Sequence, residues 1–277
     1  MTRAFRAAAR TARRWRMALS ATLLTSTLLA SACGTDEARG LEAEVLARHP
    51  HDTNAFTQGL VWHDGWLYES TGRYGASSLR RVDLESGEVR DIRYLGADLF
   101  AEGLAHVGDE LIQLTWRAGV ALRWPLEGFA SGGPPLARHD YQGEGWGLCY
   151  DGTRLVMSDG SDRLTFRDPS TFEVRGSVAV TLDGEAVTDL NELECIGEQV
   201  WANVWYDDRV MRIDAATGRV TGVLDLSGLL GDEERAALSD DAVLNGIAWR
   251  PEEGELLVTG KDWPALFALR VEGLDAD

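Results

Sequence analysis

A few positions of this chain hold residue types that could do chemistry together. Gln58, Glu102, Trp146, Asn191 and Asn245 each open a short apolar run, at successive steps of 44, 44, 45 and 54 residues. A second set follows them. Trp116, Gly160 and Trp205 stand 14 residues after Glu102, Trp146 and Asn191; Gly72 stands 14 after Gln58, and Lys261 stands 16 after Asn245. If the two sets converge, they supply one carboxylate to move protons and three amides to orient a polar ligand. They also supply three indoles as walls and one ammonium to face a developing negative charge. Phe56 and Phe100 precede Gln58 and Glu102 by two residues, which puts them on the same side of an extended chain. Lys261 is the only lysine, against 26 arginines. A compact ammonium that can lose its proton is something arginine cannot imitate. Taken singly, each residue has an ordinary role: a tryptophan packs between elements, an amide satisfies a loop. Recurrence at equivalent positions makes them a candidate site.

That recurrence requires a repeating scaffold. From Asn54 onward, short alternating runs are joined by Gly and Asp turns, as in Leu60-Val61-Trp62, His63-Asp64-Gly65, Trp66-Leu67-Tyr68. The pattern Leu148-Cys149-Tyr150, Asp151-Gly152, Leu155-Val156-Met157 repeats it. These are hairpins. Most units add a third strand ending in an acidic turn, such as Asp83-Leu84-Glu85-Ser86-Gly87 or Asp214-Ala215-Ala216-Thr217-Gly218. A period in the low forties built from four strands is a β-propeller blade. Five copies predict an all-β, five-bladed propeller. The longer last step holds the one helical stretch, Gly231 to Ser239. The fifth copy has only three strands before the chain ends, six residues after Val271. Glu42 to Arg48 precedes the first copy without a blade of its own, so it is expected to supply the missing strand and close the ring. Equivalent positions of a propeller point to the same end of its axis, so both sets are expected at one mouth.

Composition narrows the function. The chain has 277 residues, 45 acidic and 27 basic, for a formal charge of −18. Binding to nucleic acid or to an anionic membrane needs the opposite sign. Residues 1–32 hold six arginines, no acid, and an apolar stretch from Met17 that ends in Ala30-Ser31-Ala32-Cys33. A basic start, an apolar centre and small residues at the end read as a secretory leader. The following cysteine resembles a bacterial lipobox, so lipidation of Cys33 is expected, with ordinary cleavage nearby as the alternative. The expected organisation is a signal peptide at 1–32, a solvated tether at 33–41, the propeller at 42–272 and a tail at 273–277. The expected location is the periplasm or cell envelope, with the membrane reached only through the lipid. Cys149 and Cys195 lie in apolar strands; export permits a disulfide, and two buried thiols fit equally well. The five histidines are scattered, without HExxH or His-x-His spacing, which argues against a catalytic zinc.

The residues at the two sets of positions resemble those of the plant-type glutaminyl cyclases, the glutaminyl-peptide cyclotransferases of plants and bacteria. The segments that carry the resemblance run in order across residues 44–271. They include Asn54-Ala55-Phe56-Thr57-Gln58-Gly59-Leu60, Leu99-Phe100-Ala101-Glu102-Gly103-Leu104 and Gly143-Glu144-Gly145-Trp146-Gly147-Leu148. Asn191-Glu192-Leu193-Glu194, Val200-Trp201-Ala202-Asn203-Val204-Trp205, Leu244-Asn245-Gly246-Ile247 and Thr259-Gly260-Lys261 continue it. The resemblance implies a five-bladed propeller that turns an N-terminal glutamine of a peptide or protein into pyroglutamate and releases ammonia. It implies a substrate pocket of Phe56, Gln58, Phe100, Trp116, Trp146 and Trp205, to which the register adds Asn245. It implies Glu102 as acid and base, with Asn191 and Lys261 as its polar partners. No cofactor is required on this reading; a structural calcium in the acidic channel is left open, and a monomer is expected. Two other functions fit a propeller: a tethered binder of peptides or partner proteins, and a calcium-dependent lactonase. The lactonase needs several carboxylates on the axis, where only Glu102 is foreseen. The binder needs neither Glu102 nor Lys261.

Overall fold

The computed structural model describes residues 37–274. The leader, Cys33 with its expected lipidation, and the last three residues lie outside that part. The remainder is an all-β propeller of five antiparallel blades. Blade one is Thr57–His63, Trp66–Thr71, Ser78–Val82 and Val89–Tyr94. Blade two is Ala101–Val107, Glu110–Thr115, Val120–Pro125 and Ala137–Asp140. Blade three is Leu148–Tyr150, Leu155–Met157, Arg163–Arg167 and Val174–Ala179. Blade four is Leu190–Ile196, Gln199–Val204, Arg209–Asp214 and Val220–Asp225. Blade five has Leu244–Arg250, Glu255–Gly260 and Ala265–Val271, and its outer strand is the N-terminal Ala43–Pro50, paired antiparallel with Ala265–Val271.

The hairpins follow from local chemistry. Asp64 and Gly65 both adopt positive φ, 48° and 78°, between the paired His63 and Trp66. A two-residue turn of that hand matches the twist of the strands it joins. The first-named strand of each blade packs against its counterparts in the neighbouring blades, so these five inner strands form a closed ring. They approach very closely. A Cβ at Gly59 would sit 2.6 Å from the Leu104 amide nitrogen, and one at Gly147 would sit 2.0 Å from the Asn191 carbonyl oxygen. Glycine follows Gln58, Glu102, Trp146 and Asn245 for that reason.

In blade four the equivalent residue is Glu192, which is fully buried. Its carboxylate accepts the backbone N–H of Leu60 at 3.2 Å and of Ile247 at 2.8 Å. It therefore ties blade four to blades one and five near the axis. Burial pushes its proton affinity well above the ordinary carboxylate range, helped by the neighbouring Glu194.

Ring closure is reinforced by His51. Its Nδ1 faces the Trp263 carbonyl at 2.8 Å and its Nε2 faces Glu69 Oε1 at 3.0 Å. Two acceptors require two N–H donors, so the ring is held as an imidazolium. Burial alone would lower its pKa, but the Glu69 charge and hydrogen bonds overcome that and raise it.

Two expectations change. Arg39–Leu41, expected in the solvated tether, is a short strand paired in parallel with Val220–Asp225. Leu41 is buried on Gly222, where any Cβ would clash with the leucine at 2.8 Å. An apolar residue beside an unpaired sheet edge gains more by docking than by staying in water. The domain therefore begins before residue 42. Cys149 and Cys195, left undecided by the sequence, form a disulfide between the inner strands of blades three and four, with Cα atoms 5.4 Å apart.

Candidate active site

The inner strands explain how the recurring residues are aimed. In four blades the ladder between the first two strands shifts register at the recurring position. The shifts fall between Thr57 and Gly59, Ala101 and Leu104, Leu190 and Leu193, and Leu244 and Ile247. A bulge leaves a residue unpaired and re-aims its side chain. Gln58, Glu102, Asn191 and Asn245 all sit in these bulges. The second set is tied to the same strand starts: the amides of Gly72 and Trp116 each donate to the carbonyl two residues before the bulged one, Phe56 and Phe100, at 2.9 Å. Trp205 and Lys261 do the same with Asp189 at 2.8 Å and Val243 at 2.9 Å.

The result is one cavity of about 420 Å³. Phe56, Gln58, Phe100, Glu102, Trp116, Trp146, Asn191, Trp205 and Lys261 line it. Asn245 does not. It is fully buried behind Gln58, with Nδ2 donating to the Thr57 carbonyl at 2.9 Å and to Gln58 Oε1 at 3.3 Å. Gln58 Nε2 in turn donates to Glu102 Oε1 at 3.2 Å. Asn245 therefore orients the amide that holds Glu102, one step removed from the cavity.

The walls are aromatic. Phe100 meets Phe56 edge-on at 6.3 Å and Trp116 at 5.6 Å. Trp146 meets Trp205 edge-on at 5.5 Å. Gly72 and Gly160 are gaps filled by neighbours. A Cβ at Gly72 would lie 2.2 Å from the Phe100 ring, and one at Gly160 would lie 2.6 Å from the Trp146 ring.

At the polar end, Glu102 and Lys261 are both buried, 4% exposed each. Burial raises the Glu102 pKa well above the carboxylate range; Lys261 pulls it back and Glu144 pushes it further up. Burial lowers the Lys261 pKa against the opposing pull of Glu102. Its Nζ lies 4.9 Å from the centre of the Phe56 ring. No ion pair joins Lys261 to Glu102 among the described residues. Both side chains line the cavity and are placed to meet a ligand there. The Asn191 side-chain amide also has no protein partner among the described residues. A carboxylate able to take a proton, a cation, and an amide donor therefore face one aromatic slot. That set can move a proton within a bound ligand and stabilise an oxyanion formed there.

Three lining residues were not foreseen: Arg117, Glu144 and Asp241. Arg117 follows Trp116 and lies across its ring at 3.8 Å. Asp241 accepts the Tyr206 hydroxyl at 2.8 Å beside Trp205. Glu144 was legible in principle, since it precedes Trp146 by the same two residues that separate Phe56 from Gln58. The change of type from aromatic to acid hid it.

Comparison with known proteins fits this geometry. Residues 18–271 match the family profile described as glutamine cyclotransferase. The glutaminyl-peptide cyclotransferase of Arabidopsis thaliana is 39% identical over 236 residues, covering 85% of this chain and 73% of that protein. The crystal structure of Myxococcus xanthus glutaminyl cyclase superimposes with a TM-score of 0.78 at 43% identity, covering 85% of this chain and 98% of that one. With an aromatic slot closed at its polar end by Glu102, Asn191 and Lys261, this chain belongs to the glutamine cyclotransferase family.

Proposed function

We propose that the protein converts the N-terminal glutamine of peptides and proteins to pyroglutamate with release of ammonia, without a metal. The observation that carries this reading is the burial of Glu102 and Lys261 in one aromatic-walled cavity. In the reaction the α-amine nitrogen forms a bond to the side-chain carboxamide carbon, and the bond from that carbon to the amide nitrogen breaks. No water is consumed and no electron is transferred. The aromatic walls fold the side chain onto its own amine, which supplies the attack geometry. The amine attacks as the free base, and its intrinsic pKa of about 7.7–8.0 makes that form accessible near neutrality. Glu102 takes the proton that the amine loses and returns it to the departing nitrogen; both nitrogens flank one carbon, so one carboxylate reaches both. Lys261, with Asn191, faces the oxyanion that forms between the two steps. Gln58 holds Glu102 in place.

The test uses residues 34–277 and a short peptide beginning with glutamine. Ammonia release and a mass loss of about 17 Da (the ammonia of the balanced reaction) are expected with and without EDTA. Folded protein that gives no turnover would return the reading to a peptide-binding propeller, and loss of activity in EDTA would remove the metal-free mechanism.

Export and lipid anchoring at Cys33 belong to the same proposal and rest on the leader's composition. The mature protein is expected to partition with membranes and to carry acyl mass at Cys33. An unmodified soluble product would show that ordinary cleavage occurs instead.

A further inference from the structure

Glu144 holds the position in blade three that Phe56 and Phe100 hold in blades one and two. Its carboxylate is engaged on three sides. Oε2 accepts the indole N–H of Trp116 at 2.6 Å and that of Trp146 at 3.0 Å. Oε1 accepts Nε of Arg117 at 2.9 Å. Trp116 follows the second strand of blade two, and Trp146 leads into blade three. One carboxylate oxygen therefore joins indoles from two blades. The guanidinium of Arg117 then lies over the Trp116 ring, 3.8 Å from its centre. The edge contacts of Trp116 with Phe100, and of Trp146 with Trp205, carry that arrangement around the slot.

We propose, on the cyclotransferase reading, that Glu144 is a positioning residue for the reaction: it fixes the indoles of Trp116 and Trp146 as one wall of the glutamine slot, and it places a standing negative charge on the cavity that Glu102 lines.

Two physical consequences follow, and a merely structural residue would produce only the first. An indole N–H that loses its acceptor in a partly buried site turns elsewhere, and the slot loses its shape for the side chain. Glu144 makes a second negative charge in the cavity harder to hold. The charged and titratable groups that act on Glu102 are Lys261, which favours its ionised form, and Glu144, which opposes it. The Tyr141 phenol is electrostatically coupled to Glu102 as well, and Arg117 and Asp241 share the cavity lining. Glu144 itself stays ionised. Burial opposes this, and the hydrogen bonds from Trp146, Arg117 and Trp116 overcome it. Removing the charge of Glu144 should therefore ease ionisation of Glu102, and removing the compensating charge of Arg117 should hinder it.

The experiment measures kcat and KM against pH for wild type, Glu144→Gln and Arg117→Gln, with one glutamine-initiated peptide. The acid limb of kcat is read, because the free peptide's own amine titrates in kcat/KM. Glu144→Gln is expected to raise KM about tenfold, which corresponds to ~1.4 kcal/mol of lost binding. Its plateau kcat should stay within about threefold of wild type, and its acid limb should move down by roughly 0.5 pH unit. Arg117→Gln is expected to move the acid limb the other way. A Glu144→Gln enzyme with KM within about twofold of wild type would overturn the proposal, as would acid limbs that stay fixed or move in the same direction. Should Glu144→Gln fail to fold, Arg117→Gln decides: an acid limb that does not rise overturns the proposal. If wild type itself releases no ammonia, the cyclotransferase reading fails first and the role of Glu144 falls with it.

Discussion

Glu102→Gln is expected to lower kcat by at least ~10²-fold without loss of the fold. The variant keeps the volume of the side chain and an oxygen that can accept from Gln58 Nε2, but it can neither take nor return a proton. The strand itself is held separately. Ser70 donates to the backbone carbonyl of residue 102, and Gln113 Nε2 supports that serine hydroxyl at 2.9 Å. Burying a carboxylate is also costly, so the neutral amide should leave the thermal midpoint unchanged or higher. The pH profile gives an independent check. Burial, reinforced by Glu144 and opposed by Lys261, raises the proton affinity of Glu102. On the proposed mechanism the carboxylate is the form that accepts the amine proton, so kcat should fall as pH drops through this elevated pKa. The acid limb should lie well above the ordinary carboxylate range near pH 4–5. Near wild-type turnover in Glu102→Gln, or an acid limb at the ordinary carboxylate value, would remove Glu102 from proton transfer.

Lys261→Ala is the second large effect, with kcat/KM expected to fall by ~10²–10³-fold, the scale of losing one donor to an oxyanion. Lys261 is buried and lines the same slot as Glu102. Its loss should also move the acid limb of kcat upward, because the charge of Lys261 favours the Glu102 carboxylate. Lys261→Arg should not restore activity. A guanidinium is bulkier than an ammonium and spreads its charge over a plane, so it does not reproduce the point charge held 4.9 Å from the centre of the Phe56 ring. Unchanged kcat/KM in Lys261→Ala would show that the oxyanion is met elsewhere, with Asn191 next to be tested.

The repeat makes both residues visible in the sequence. Steps of 44 and 45 residues fix the number of blades, because each step must build one four-stranded sheet and return to the axis. The same steps place Gln58, Glu102, Trp146 and Asn191 at equivalent points, and a closed ring turns equivalent points toward one end. Residue types at those points then indicate the chemistry. Glu144 escaped because periodicity marks a position without stating its partners, and its partners come from two different blades. Asn245 was misplaced for the complementary reason. Its register is equivalent to that of Gln58, but Gln58 stands between it and the cavity.

The axis shows the same division. That glycine follows four of the five recurring positions is written in the chain, as Gln58-Gly59, Glu102-Gly103, Trp146-Gly147 and Asn245-Gly246. That Glu192 takes the remaining place and ties three blades together depends on which backbone N–H groups are left unpaired there, namely those of Leu60 and Ile247. The disulfide is similar. Two cysteines in apolar strands permit a bond, and only the approach of the inner strands of blades three and four brings Cys149 to Cys195. By itself, then, the sequence determined the blade count, the closing strand and the recurring positions from which most of the cavity lining comes, since period and residue type are properties of the chain. Pairing between blades was decided by the tertiary structure: the carboxylate under two indoles, the amide behind an amide, the strand at Arg39–Leu41. Such contacts depend on distances across the ring, and those distances are set only when all five blades close together.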